Sequence, residues 1–163
     1  MYKITIIMGI YNCEKTLDEA LASLYAQTCQ EWKLVMCDDG SKDGTYEVAK
    51  SHADKHDKIL LLKNEKNLGL NATLNKCLEY VDTPYTARMD GDDVSMPTRL
   101  EKELAFLEGH PEYDIVSGNM IYFDENGDWG RVHPSKNRKK FISSKARPFA
   151  TRPRWCARRR IDG

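Results

Sequence analysis

Four short apolar runs, at residues 3–7, 32–36, 59–62 and 85–89, alternate with stretches whose apolar residues recur at helical spacing. Leu17, Ala20, Leu21 and Leu24 make one such face; Leu70, Leu74, Cys77, Leu78 and Val81 make another. Between them, Asp43-Gly44 opens a more polar helix carrying Tyr46, Val48, Ala49 and Ala53. An apolar stripe at that period is the buried side of a helix, and a short β-branched run is a strand. Strand, helix, strand, helix in this rhythm leaves few architectures open. It predicts an α/β fold: a mostly parallel sheet with helices on both faces.

Ligands of such sheets bind in the crevice beyond the carboxyl ends of the strands. Every polar candidate in the chain falls at such an end. Met8-Gly9-Ile10-Tyr11-Asn12 reads as the loop after the first strand, and Cys37-Asp38-Asp39-Gly40-Ser41 as the turn after the second. Asn67-Leu68-Gly69 follows the third, and Met89-Asp90-Gly91-Asp92-Asp93 closes the fourth. Further on, Pro97 suits a first helical position, with Leu100, Leu104 and Leu107 as that helix's core face. Residues 115–122 read as a fifth strand, Glu125-Asn126-Gly127-Asp128 as a hairpin turn, and 129–133 as the returning strand.

Asp90, Asp92 and Asp93 place three carboxylates within four residues, which repel one another unless a cation relieves them. Oxygen-only ligation suits a hard divalent ion, Mg²⁺ or Mn²⁺, rather than zinc. Acidic turns do not bind phosphate directly, but such an ion bridges them to a diphosphate. A carboxylate of the Asp38-Asp39 pair can accept from a pyrimidine N3–H or a ribose hydroxyl, and Tyr11 can stack on a base. Each motif alone has a plainer reading: a solvated turn capping a helix, an Asx turn, a surface tyrosine. Their convergence on one sheet edge points to a nucleotide-sugar enzyme.

Other chemistries drop out. The five cysteines are odd in number and lack C-x-x-C spacing, so they read as buried thiols rather than a zinc site or disulfide framework. No glycine-rich dinucleotide or P-loop pattern follows the first strand. Asp124, Asn126 and Asp128 imitate a calcium loop, but Trp129 and Ser135 stand where it needs glycine and glutamate. A haloacid-type phosphatase would need an aspartate after the first strand, and none appears before Asp18. No apolar run is long enough to span a membrane, and the expected location is the cytoplasm.

Taken together, the motifs resemble the N-terminal half of a family 2 (GT-A fold) glycosyltransferase over about residues 1–135, the expected donor-binding domain. They stand in the family's order. Ile6-Ile7-Met8-Gly9-Ile10-Tyr11-Asn12 comes first, then Ser23-Leu24-Tyr25-Ala26-Gln27-Thr28 and Asp38-Asp39-Gly40-Ser41-Lys42-Asp43-Gly44-Thr45. Asn67-Leu68-Gly69-Leu70 with Asn75 follows, and Asp90-Gly91-Asp92-Asp93 with Pro97 and Arg99 completes the set.

The resemblance implies a GT-A-type Rossmann-like sandwich whose C-terminal part is truncated. It implies that Ile10, Tyr11, Asn12, Asp39, Asn67, Gly69, Asn75, Asp90, Gly91 and Asp92 line the nucleotide-sugar site. Tyr11 and Asp39 would hold the base, Asp90 the ribose side, and Asp92, with Asp90, a Mn²⁺ or Mg²⁺ on the diphosphate. The implied reaction moves a sugar, from a UDP-sugar in most such enzymes, to a glycan or lipid-linked acceptor with inversion. Gly9 replaces a frequent proline and Leu74 a frequent arginine. The catalytic base is expected beyond residue 163, so the chain as given is expected to bind donor without transferring sugar to an acceptor.

From Lys136 onward eleven lysines and arginines face one acid, Asp162, although the whole chain has zero net charge. Residues 136–163 are therefore expected to be an irregular basic tail. It reads either as a frameshifted end foreign to the family, the favoured reading, or as an arm for anionic lipid at the inner face of the membrane. Nucleic acid is a poor match, with little aromatic interleaving. Two alternatives stand beside the transferase: a non-catalytic nucleotide-sugar-binding remnant, and a nucleotidyltransferase. The latter wants a basic glycine-rich loop that residues 10–16 do not supply.

Overall fold

Alternation along the first two strands decides the layering, because successive strand side chains point to opposite faces. The computed structural model describes residues 1–124, 126–132 and 158–162. In chain order the elements are β1 (Ile4–Ile10), α1 (Glu14–Tyr25), β2 (Trp32–Asp38), α2 (Thr45–Ala53), β3 (Ile59–Lys63) and α3 (Leu70–Leu78). They continue with β4 (Tyr85–Arg88), β5 (Val94–Ser95), α4 (Arg99–Gly109), β6 (Asn119–Asp124), β7 (Gly127–Val132) and β8 (Arg158–Asp162). Ile6, Met8 and Ile10 of β1, with Leu34 and Met36 of β2, pack in one core with Leu17, Leu21 and Leu24 of α1 and Leu100 of α4. Ile7, Val35 and Cys37 point the other way, onto Leu74 and Cys77 of α3. Each fully buried aliphatic side chain contributes about 1.5–3 kcal/mol, so this two-faced sheet is the main source of stability.

The main sheet has the order β3-β2-β1-β4, and all its pairs are parallel. Successive strands step outward from β1 through β2 to β3, and the chain then crosses to the other side of β1 for β4. The order therefore reverses at β1, which makes the gap between the ends of β1 and β4 a topological switch point. A second sheet, β5-β8-β6-β7, is mixed: β8 runs parallel to β5 and antiparallel to β6.

Several expectations change. Met8-Gly9-Ile10 is strand rather than loop, since β1 stays paired to β2 as far as Ile10↔Asp38. Gly9 belongs there because α3 crosses close by; a Cβ would lie 3.0 Å from Leu70 Cδ1. The α3 face is narrower than its apolar periodicity suggests: Leu74 and Cys77 are buried, while Leu70 and Leu78 are exposed. Beyond Leu78 the chain tightens into i→i+3 bonds, the N–H groups of Tyr80 and Val81 donating to Cys77 and Leu78. Pro97 lies before α4, whose cap is Thr98. The fifth predicted strand begins only at Asn119, and Ile115 is 77% exposed. Part of the hairpin turn (Glu125), residue 133 and most of the basic tail lie outside the described residues. The tail's residues 158–162 form β8, not irregular chain. Among the described residues, no helix is long and apolar enough to cross a membrane.

Candidate active site at the carboxyl ends of the parallel strands

Asp39 stands directly after β2, where its backbone N–H donates to the Ile10 carbonyl at 2.9 Å and so continues the ladder one step. Its side chain is buried. Oδ1 accepts from Asn64 Nδ2 and from the Leu68 N–H, both at 2.9 Å, and Oδ2 accepts from the Gly69 N–H at 2.9 Å. Burial alone would push this carboxyl up. The Leu68 N–H, the Asn64 amide, the Thr73 hydroxyl and the Gly69 N–H outweigh it and hold the acid below the ordinary carboxylate range. The acid expected to face a base is thus, in large part, the anchor of the loop after β3. Gly69 begins α3 with φ +88°, and Asn67 Oδ1 also accepts from its N–H, at 3.1 Å.

Asn12 ties the end of β1 to the same turn. It holds φ +49°, in the left-handed region that asparagine tolerates better than most residues. Its N–H donates to Ser41 Oγ at 3.1 Å, and its Oδ1 accepts from the Lys42 N–H at 2.9 Å. Tyr11 beside it is half-buried. Ile10, by contrast, turns its side chain into the core, 1% exposed, so only its backbone reaches the site.

Across the switch point, Asp90 is half-buried and accepts from Arg88: Nε and Nη2 reach Oδ1 at 3.1 and 2.9 Å, and Nη2 reaches Oδ2 at 3.1 Å. Arg88 is fixed in turn, because Arg99 donates through Nη2 to its carbonyl at 3.1 Å. Asp92 is exposed, and Asp93 is buried. The three acids of this turn therefore have three different environments, which their spacing alone does not reveal. Gly91 is tightly packed: a Cβ would lie 2.9 Å from Cys13 Sγ and 3.0 Å from Ile10 Cγ2, so a larger residue would have to displace them. Asn75 lies on the exposed side of α3, and with Asp90, Arg88 and Asn71 it lines a groove of about 780 Å³ that runs along β4.

Among the described residues no three His, Cys, Asp or Glu side chains gather into a metal cage. The residues do fit a hard divalent ion that keeps most of its shell as water and phosphate oxygen, the habit of Mg²⁺. Asp92 is the exposed acid of this turn, and Asp90 accepts from Arg88.

Three supports escaped sequence reading. Gln27 is buried and bridges α1 to the segment after the acidic turn: Nε2 donates to the Met96 carbonyl at 2.8 Å, and Oε1 accepts from the Leu100 N–H at 3.1 Å. Asn64 supports Asp39, and Arg88 holds Asp90. None has a local signature; the Ser23–Thr28 motif was the one hint, and it pointed at Gln27 without a reason.

Gly40 gives a first test. Its φ is +71°, and a Cβ would lie 2.8 Å from the Lys66 carbonyl carbon and 2.9 Å from Lys66 Cα. Backbone cannot yield as a side-chain tip does. Gly40→Ala should cost about 2–3 kcal/mol in urea unfolding, the strain of the left-handed backbone adding to the clash. A loss below about 0.5 kcal/mol, the range of a surface change, would show that the two loops are not held this closely.

The model of the family described as "Glycosyl transferase family 2" matches residues 5–162, and so takes in β8 as well as the donor-site loops. EpsE of Bacillus subtilis (strain 168), a glycosyltransferase by name, is 47% identical over 149 residues, covering 90% of this chain and 53% of that protein. The UDP-Glc:alpha-D-GlcNAc-diphosphoundecaprenol beta-1,3-glucosyltransferase WfgD of Escherichia coli is 32% identical over 128 residues, covering 74% of this chain and 49% of that protein. The chain thus spans about half the length of these relatives. Among solved structures, S. aureus TarS 1-349 in complex with UDP-GlcNAc superposes with a TM-score of 0.62 at 27% identity, covering 72% of this chain and 33% of that one. Fold, loop order and family match agree: this chain belongs to glycosyl transferase family 2.

Proposed function

We propose that the described part of the chain binds a nucleotide sugar, a UDP-sugar first, as the donor half of a metal-dependent glycosyltransferase. One observation carries this reading: the acidic turns after β2 and β4 flank the end of β1 at the switch point of the sheet. The relatives support it. TarS is described in complex with UDP-GlcNAc, and WfgD is named for a UDP-Glc donor and a diphosphoundecaprenol-linked acceptor. A glycan or lipid-linked acceptor is accordingly the proposed second substrate.

In this reading Tyr11 stacks on the base, and the loop held by Asp39 lies against the nucleoside, with Asn12, Asn67 and Gly69 around it. Asn75 and Asp90 lie toward the ribose and diphosphate. Mn²⁺ or Mg²⁺, held by Asp92 with Asp90 beside it, would offset charge on the departing nucleoside diphosphate. An acceptor hydroxyl then attacks the anomeric carbon in one inverting displacement, its proton passing to a base outside the donor site. Asp92 is the exposed acid of the turn, and it is the one proposed to meet an ion that arrives with the donor.

Calorimetry tests the proposal. UDP should bind in the presence of Mn²⁺ or Mg²⁺ and weaken at least about tenfold in excess EDTA, the scale of losing one charge-assisted contact. Asp92→Asn should reproduce most of that loss. Asp93→Asn should act mainly on stability, since Asp93 is buried. Equal affinity with and without EDTA would remove the metal from the proposal, and no UDP binding in any condition would remove the donor site.

A further inference from the structure

Behind the donor loop lies a buried polar chain that the loop residues do not account for. Asn64 follows β3 and is 4% exposed. Its backbone N–H donates to the Asp38 carbonyl at 2.8 Å, which locks it against the end of β2. Its side-chain Nδ2 reaches Asp39 Oδ1 at 2.9 Å and Thr73 Oγ1 at 3.0 Å, while Oδ1 accepts from Lys76 Nζ at 2.9 Å. Lys76, from α3, also donates to the Lys63 carbonyl at 2.8 Å. An ammonium has no acceptor capacity, so its contact fixes which end of the amide is oxygen. The NH₂ end must then face Asp39, whose oxygens hold the N–H groups of Leu68 and Gly69.

We infer that Asn64 is a positioning residue of the donor site, oriented by Lys76, that keeps the Asp39 carboxylate aimed at the loop amides of Leu68 and Gly69. It touches no ligand and acts through Asp39. The inference rests on the donor-site reading for its effect on nucleotide, but not for its effect on the loop. An amide is the side chain suited to this place. It gives a hydrogen to a carboxylate on one side and accepts from an ammonium on the other, with no charge of its own to titrate. An aspartate there would set two carboxylates within hydrogen-bond distance, and one would take up a proton as pH falls. Among the described residues, the charged side chains bonded to Asn64 are Asp39, directly after β2, and Lys76 from α3. Asp38 meets it through its backbone carbonyl and turns its carboxylate to the Ser41 N–H, and the Cys37 and Cys77 thiols are near Lys76.

The experiment compares the intact chain with Asn64→Asp and Lys76→Met. One readout is UDP affinity with Mn²⁺ at pH 5.5 and 8; the other is hydrogen exchange at the Leu68 and Gly69 amides. Asn64→Asp should bind UDP about tenfold more weakly than wild type at pH 8, the cost of one broken buried hydrogen bond, and recover toward wild type at pH 5.5. Its Leu68 and Gly69 amides should exchange faster at pH 8, scaled to wild type in the same buffer. Lys76→Met, at the half-exposed end of the chain, should give a smaller loss of about two- to fivefold, without pH recovery. A ratio of mutant to wild-type affinity that is flat with pH overturns the inference, as does unchanged amide exchange in Asn64→Asp. If wild type binds no UDP, the donor-site reading falls, and the exchange readout alone then decides the role of Asn64.

Discussion

Asp39→Ala should abolish measurable UDP binding and lower the free energy of unfolding by about 3 kcal/mol, the cost of losing three hydrogen bonds to one buried carboxylate. The Asn64 amide and the Leu68 and Gly69 N–H groups all lose their bonds to Asp39 at once, and Ala offers none in return; Asn64 keeps Thr73 Oγ1 and Gly69 keeps Asn67 Oδ1. Cavity formation is a minor part, because the side chain is small. Asp39→Asn should be intermediate: its carbonyl oxygen keeps one set of donors, while its NH₂ confronts the other. The pH profile separates this from general damage. Asp39 is held below its ordinary value of 3.8 in the folded chain. A depressed carboxyl contributes stability that is present above the unfolded value and lost as pH falls through the folded one. Wild type should therefore lose stability through the acid range below about pH 4, and Asp39→Ala should lack that component. An alanine variant with the wild-type acid profile would mean that the carboxylate is not the anchor of the loop.

The loops of the site were legible because each follows a strand that its own residues announce. Asp39 and the 90–93 turn fall at strand ends in any parallel reading of the chain, so topology alone brings them together. What stayed hidden is non-local. Gly9 reads as a loop residue, yet it is a strand glycine, and a Cβ there would lie 3.0 Å from Leu70 Cδ1. Asn64 looks like one more polar residue after a strand; its meaning comes from Asp39 and Lys76, 25 and 12 positions away. Asp92 and Asp93 are neighbours in sequence and opposites in exposure, since the turn sends one outward and one into the protein. β5 is two residues long, below any periodicity, and it is defined by its pairing with β8. β8 itself is arginine-rich, a composition that argues for tail rather than strand.

The largest loss of stability should come from the other end of the sheet, at Trp32. It opens β2, is 0% exposed, and packs with Tyr25 at a ring separation of 6.2 Å. Lys58 Nζ lies 3.4 Å from its ring centroid, a cation held against the indole. Trp32→Ala should cost about 3–5 kcal/mol in urea unfolding, the range for emptying a large aromatic site. The informative comparison is Trp32→Phe. The indole Nε1 is buried without a hydrogen-bond partner among the described residues, so a change to phenylalanine gives up no hydrogen bond. It also removes a desolvated donor, a gain that offsets part of the lost ring area. Trp32→Phe should therefore cost only about 1–2 kcal/mol, mostly packing and a weaker hold on Lys58. The same measurement on Lys58→Met, alone and combined with Trp32→Phe, isolates the cation's share. Should Trp32→Phe prove as damaging as Trp32→Ala, the indole nitrogen must have a partner after all, and the edge of β2 is held by a polar contact rather than by packing.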